Sequence, residues 1–291
     1  MMLIAPVQTR AHTQARTPRR TAARTAPRTA PRTAARTPMG VPMGTADLHI
    51  HTRVSDGLAT VEQTLDYIEH RTSLDVVAIT DHEDVAGGLR AREFAARRGY
   101  RVEVVAGAEI TTLQGHLLAL FIETTPPSFR RVESTLEMIH QQGGLAVVPH
   151  PMSWLTRSIS ERTLDRVSNT AQRGGAEAFD AIETANPSPA GRLTRERALA
   201  ANAARWSLAE TGGSDAHHLG HIGTGWTEFE GRTAAALRSA LDSASAVARM
   251  TRYPSMRAVG YPNLLLGLAW GYAATPRKLL AKTMAAHRGQ A

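Results

Sequence analysis

From Ala46 onward the chain alternates short apolar runs with amphipathic stretches. Seven runs read as strands: residues 47–51, 76–80, 102–106, 115–122, 145–149, 181–184 and 206–211. Between several of them apolar residues return at helical spacing. Residues 60–70 open on a Thr cap, carry Glu62 and Gln63 in the first turn and align Val61, Leu65 and Ile68 on one face. Residues 128–142 carry Val132, Leu136 and Ile139 and stop at Gly143-Gly144. Residues 192–205 and 233–245 read as Ala-rich helices. Strand–helix alternation repeated about seven times predicts a parallel α/β barrel, and the 291 residues suit one such barrel.

The two ends depart from this pattern. Residues 9–38 are a degenerate repeat of Thr, Ala, Arg and Pro without an apolar side chain larger than Ala, a composition that predicts disorder. Three readings are open for it: a nucleic-acid-binding arm, an organellar or export signal, or a start codon placed too far upstream. An inert or untranslated segment is the expectation, with residues 1–42 dispensable for turnover. Residues 258–274 are apolar but interrupted by Gly260, Pro262, Asn263, Gly267 and Gly271, so a packing or interfacial segment is expected rather than a membrane span. The expected division is a tail over 1–42, a catalytic domain over 43–250 and an extension of unassigned role over 251–291.

Charge changes this picture little. The net charge of +8 resides in eight Arg upstream of residue 46 (Arg10, Arg16, Arg19, Arg20, Arg24, Arg28, Arg32 and Arg36); the remainder has equal numbers of basic and acidic residues. A nucleic-acid partner is therefore unsupported by the body of the chain. The chain contains no Cys, which excludes thiolate metal sites and disulfides and makes the cytoplasm the default compartment.

The placement of the twelve His residues carries the chemistry. His49, His51, His82, His116, His150 and His217 fall on or just after predicted strands, and Asp56, Glu109 and Asp215 share those places. In a parallel barrel the carboxyl ends of the strands form the active face. His49 and His51, spaced i and i+2 on a strand, project from one side. A single strand-end His is most often a hydrogen-bonded structural group; six with three acids at one end point to a metal cluster. His70 and His140 sit near helix ends, where an imidazolium complements the dipole.

With these residues in place, the chain resembles the PHP (polymerase and histidinol phosphatase) superfamily. The matching motifs, in family order, are Asp47-Leu-His-Ile-His51-Thr, Ser55-Asp56-Gly57, Thr80-Asp81-His82, Gly107-Ala-Glu109, Gly115-His116, Pro149-His150-Pro151 and Gly213-Ser-Asp-Ala-His217. The resemblance implies a distorted (β/α)7 barrel holding two or three divalent ions, Mn as the first expectation with Zn or Fe as alternatives. It would place one ion on His49, His51, Glu109 and Asp215, a second on Glu109, His116 and His150, and a third on Asp56, His82 and His217. Only residues 117–149 lie between His116 and His150, too few for the substrate-covering insertion of the RNA-cleaving branch.

The expected activity is hydrolysis of a small phosphomonoester or nucleotide by a metal-activated hydroxide, with Asp215 and Glu109 at the reacting centre. Asp81 is expected to orient a ligand His, and Arg53 and Arg192 are candidates to grip phosphate. Two alternatives stay open: a metal-dependent hydrolase of a non-phosphate bond, and an Arg-rich-tailed nucleic-acid-binding protein. The oligomeric state is not read from the sequence.

Overall fold

A computed structural model describes residues 40–174 and 177–254; the expectations for residues 1–39 and 255–291 lie outside the described residues. Nine strands form one sheet in the order β7-β6-β5-β4-β3-β2-β1-β8-β9. In chain order they are β1 (Met43–Ile50), β2 (Val76–Ile79), β3 (Glu103–Thr111), β4 (His116–Leu120), β5 (Leu145–Val148), β6 (Ala181–Ala185), β7 (Ala209–Gly212), β8 (Gly225–Glu230) and β9 (Val247–Met250). The helices are α1 (Val61–Arg71), α2 (Ala86–Arg98), α3 (Val132–Gln141), α4 (Glu161–Gln172), α5 (Pro189–Ala201) and α6 (Ala234–Asp242).

The sheet curls until its ends nearly meet. Ala216, just past β7, bridges Ile50 of β1: its N–H donates to the His49 carbonyl, and its own carbonyl accepts from His51 N–H. β8 lies antiparallel along the first half of β1, and Thr227 Oγ1 exchanges hydrogen bonds with the Gly212 backbone. The walls are apolar inside and out. Leu48, Ile79, Leu118, Val147 and Ile182 are buried, as the continuous Val/Ile/Leu runs of doubly covered strands require.

One expected feature changes. The barrel is not wholly parallel, because β4 runs antiparallel to both β3 and β5. No helix separates β3 from β4; a short turn over 112–115 reverses the chain, held by Thr112 Oγ1 donating to the Gly115 carbonyl. The start of β4 therefore lies beside the ends of its neighbours. His116, the first residue of β4, reaches the active face for that reason rather than by ending a strand. β3 is also longer than expected and includes Glu109.

α2 and α4 were not expected, nor were β8 and β9. α2 opens on Gly87-Gly88, poor helix formers with a local reason. A Cβ on Gly87 would lie 2.1 Å from Asp81 Oδ2, and one on Gly88 2.8 Å from Ala106 Cα. In β8 the inward residues are Gly225, Thr227 and Phe229, so the alternation that marks a strand is weak. α5 ends earlier than expected, in a wide turn over Asn202–Trp206 that buries Trp206.

At the end of α3, His140 is bonded through Nδ1 to Glu177 Oε2 (2.8 Å) and through Nε2 to Asp180 Oδ2 (3.0 Å). Asp180, against the opposing effect of burial and with Glu177 adding to it, raises the His140 pKa above 6.5. Stabilisation from this link is complete below pH 6.5 and fades as pH rises through the raised value. Urea unfolding should show wild type losing more stability than His140→Gln between pH 6 and 8.5; parallel pH profiles would remove the link.

Candidate metal centre

Each candidate ligand is delivered by a strand end or the loop after it. β1 supplies His49 and places His51 just beyond; its following loop carries Asp56, the loop after β2 carries His82, and β3 carries Glu109. His116 opens β4, His150 follows β5, and Asp215 and His217 follow β7. The structure brings all nine to one face. Their donor atoms form four overlapping sets, each within 4.8 Å: His51, Asp56, His82 and His217; His49, His51 and Asp215; His49, Glu109 and His150; His82, Glu109 and His116.

Glu109 is the centre, only 1% exposed. Its Oε2 lies 3.3 Å from Nε2 of both His49 and His51 and 3.4 Å from His82 Nδ1. Its Oε1 lies 2.8 Å from His116 Nδ1 and 3.2 Å from His150 Nε2. Asp215 Oδ1 stands 3.6 Å from Nε2 of His49 and of His51. Asp56 Oδ2 faces His217 Nε2 at 3.2 Å and His82 Nε2 at 3.6 Å. The grouping differs from the expected division: Glu109 is not in the set of His49, His51 and Asp215, and His51 joins that of Asp56, His82 and His217. His116 and His150 both face Glu109 Oε1, but their ring centroids are 5.8 Å apart and they fall in different sets.

Electrostatics follow from burying three carboxylates among six imidazoles. Burial opposes ionisation of Glu109, but His82, His116 and His49 hold it well below the usual range; His49, His51 and His217 do the same for Asp215. Burial opposes charge on His51 too, yet Asp215, Glu109 and Asp56 push it up to about 10, and His49 is likewise raised. For His82 burial prevails and the value falls to about 4. Both ring nitrogens of His51, and Nδ1 of His116, are buried without a hydrogen bond despite the carboxylates beside them. Buried ring nitrogens left without a hydrogen bond beside carboxylates are what a cation between them requires.

Outer contacts fix these groups. His49 Nδ1 pairs with Glu183 Oε1 at 3.1 Å, and Glu183 Oε2 accepts from His150 N–H and Asn186 Nδ2. His150 Nδ1 pairs with Ser158 Oγ, and His217 Nδ1 with the Asp215 carbonyl. Gly213 leaves room for this packing, since a Cβ there would sit 2.5 Å from Glu183 Oε1. Asp47, buried, accepts from Ser214 and Gly223 N–H, joining β1 to the segment after β7. Two candidate ligands, His150 (φ 29°) and Asp215 (φ 54°), occupy left-handed backbone that side chains adopt only when their surroundings impose it.

Asp81, expected to orient a ligand His, bonds the loop after β1. Its carboxylate accepts from Thr52 N–H and Oγ1 and from Ser55 N–H and Oγ at 2.7–3.2 Å. It winds the loop that carries Asp56. Arg53, in that loop, and Arg192, in the first turn of α5, are both exposed. Glu183, Asn186 and Ser158 were missed by the reading of the sequence. For Glu183 a signal existed: a lone acid inside the otherwise uncharged run 181–184.

The PHP-associated family model matches residues 195–245, the stretch that contains Asp215 and His217. An uncharacterized protein of Methanocaldococcus jannaschii is 35% identical over 147 residues, 47% of this chain and 81% of that protein. A phosphoribosyl 1,2-cyclic phosphate 1,2-diphosphodiesterase of Eggerthella lenta is 37% identical over 101 residues. The chain belongs to the PHP superfamily. The Eggerthella alignment takes in 32% of this PHP chain and 37% of its relative, so it spans about a third of either protein. A two-domain Bacteroides vulgatus protein containing a predicted PHP-like metal-dependent phosphoesterase superposes with a TM-score of 0.56 at 21% identity. That superposition takes in 72% of this chain and 65% of the other, and it shows a shared fold.

Because His49 and His51 are raised, both carry protons at neutral pH when no cation competes. Loading with Mn at pH 7 should expel protons, and affinity should strengthen as pH rises. Calorimetry in two buffers of different ionisation enthalpy measures the release; identical heats would show that these imidazoles do not give way to an ion.

Proposed function

We propose that this chain is a metal-dependent phosphoesterase that hydrolyses a small phosphomonoester or nucleotide, with the nine clustered residues as ligands of two or three divalent ions. The observation that carries the reading is Glu109, a buried carboxylate whose two oxygens face different imidazole sets, as a bridge between two cations would. Divalent ions bound there would supply Lewis acidity toward water and phosphoryl oxygens and stabilise charge in the transition state. Mn is the first choice, because the donors are imidazole nitrogens and carboxylate oxygens with no thiolate.

The remaining parts of the account belong to the chain. Glu109 and Asp215 stay ionised through the working pH range and offset the charge that the site concentrates. Glu183 holds the His49 ring and the backbone of His150 in one geometry, so both sides of Glu109 keep their spacing. The His217 side chain, 37% exposed, marks the open side where a phosphoryl group would enter. Arg53 and Arg192 are proposed to meet its outer oxygens. Water is the proposed nucleophile, since the Ser55 hydroxyl is bonded to Asp81 and the Ser214 hydroxyl donates to the His49 carbonyl.

A phosphatase screen on Mn-loaded protein should find turnover of small phosphoesters. Asp215→Asn should reduce it by about 10²-fold or more, through loss of a ligand charge. Chelation should abolish it, and added Mn should restore it. Full turnover in Asp215→Asn or after exhaustive chelation would refute the mechanism; hydrolysis confined to non-phosphate bonds would leave the metal centre and replace the substrate class.

A further inference from the structure

Beyond β9 the chain turns back toward the metal centre. Thr251 N–H donates to the Thr224 carbonyl, and two residues later the Tyr253 side chain enters the barrel mouth. Its ring stacks on His221, centroids 4.1 Å apart and planes 11° from parallel. Its hydroxyl lies over two successive carbonyls, bonding to that of Ser214 and to that of Asp215 at 3.1 Å.

The Asp215 carbonyl is a junction. It also faces His217 Nδ1 at 3.0 Å, while Nε2 of the same ring faces Asp56 Oδ2 at 3.2 Å. The peptide that bears it belongs to a residue at φ 54°, a conformation an Asp adopts only under outside restraint. On the inner side, restraint comes from β1: Ser214 N–H donates to Asp47, and Ala216 N–H to the His49 carbonyl. On the outer side the Tyr253 hydroxyl bonds both carbonyls of the strained turn.

We infer that Tyr253 is a positioning residue for the metal centre, clamping the Ser214–Asp215 turn so that Asp215 and His217 present their donor atoms together. The inference rests on the metal-centre reading above. It also assigns a part to the segment after residue 250, outside the boundary expected for the catalytic domain. Tyr253 acts through backbone carbonyls, so its loss should appear in ion affinity and kcat rather than in KM.

The test is Tyr253→Phe, which keeps the ring and the stack on His221 and removes only the hydroxyl. Mn titration of the metal-stripped full chain by calorimetry reads the effect without turnover. The expected result is a Kd for Mn about 10-fold weaker, the usual size for loss of an outer partner, with kcat reduced and KM unchanged. Circular dichroism of the ion-free variant reads its folding directly and should show the wild-type spectrum. Wild-type affinity in Tyr253→Phe, or a raised KM with kcat unchanged, would overturn the inference while leaving the metal centre intact. Wild-type protein that takes up none of Mn, Zn and Fe would overturn the metal-centre reading itself, and the inference with it. Should Tyr253→Phe fold poorly, His221→Leu, which removes the stack and spares the hydroxyl, must give a smaller loss of affinity in the same direction; unchanged affinity there would count against the clamp.

Discussion

A carboxylate buried at the mouth of a barrel is costly unless opposite charge comes close enough to offset lost hydration. Glu109 is such a group, facing five imidazoles within 3.4 Å. Much of the architecture serves the need to bring those rings to one point. β1 contributes two by its pleat, loops after β2 and β5 contribute one each, and β4 contributes the fifth by running backwards. Reversal of β4 is thus more than a topological variation. It turns a strand start toward the face on which the neighbouring strands end.

Around that centre the outer contacts divide the work by element. Glu183 on β6 ties the His49 ring to the His150 backbone, so β1 and β5 hold register across the barrel mouth. Asp81 gathers the loop after β1 through four hydrogen bonds and so sets where Asp56 stands. Asp47 fastens β1 to the segment after β7, and burial pushes its pKa up to about 6 although three backbone N–H groups bond it. The strain at His150 and Asp215 falls within this scaffold, which supplies the restraint that left-handed backbone requires.

The ring of candidate ligands was legible because strand ends and i, i+2 spacing leave a direct trace in sequence: His49 with His51, and Asp215 with His217. The capped helix α1 was legible for a similar reason, its Thr60–Gln63 capping box being local. What escaped depends on tertiary contact. The apolar run of β3 breaks at Gly107, which hid the strand's extension to Glu109 and the tight turn into β4. α2 hides behind two glycines that its neighbours demand, and β8 behind an inward face of Gly225, Thr227 and Phe229 with only one large apolar residue. Tyr253 could not be placed from sequence, because its partners are backbone carbonyls that carry no residue signature.

The central claim is that Glu109 bridges two cations. Anomalous diffraction at the Mn edge, from crystals of the full chain grown with Mn, tests it most directly. The account predicts two peaks flanking the Glu109 carboxylate, about 3.5–4 Å apart. A loaded crystal with no peak at Glu109, or with that carboxylate bonded only to imidazole, would contradict it.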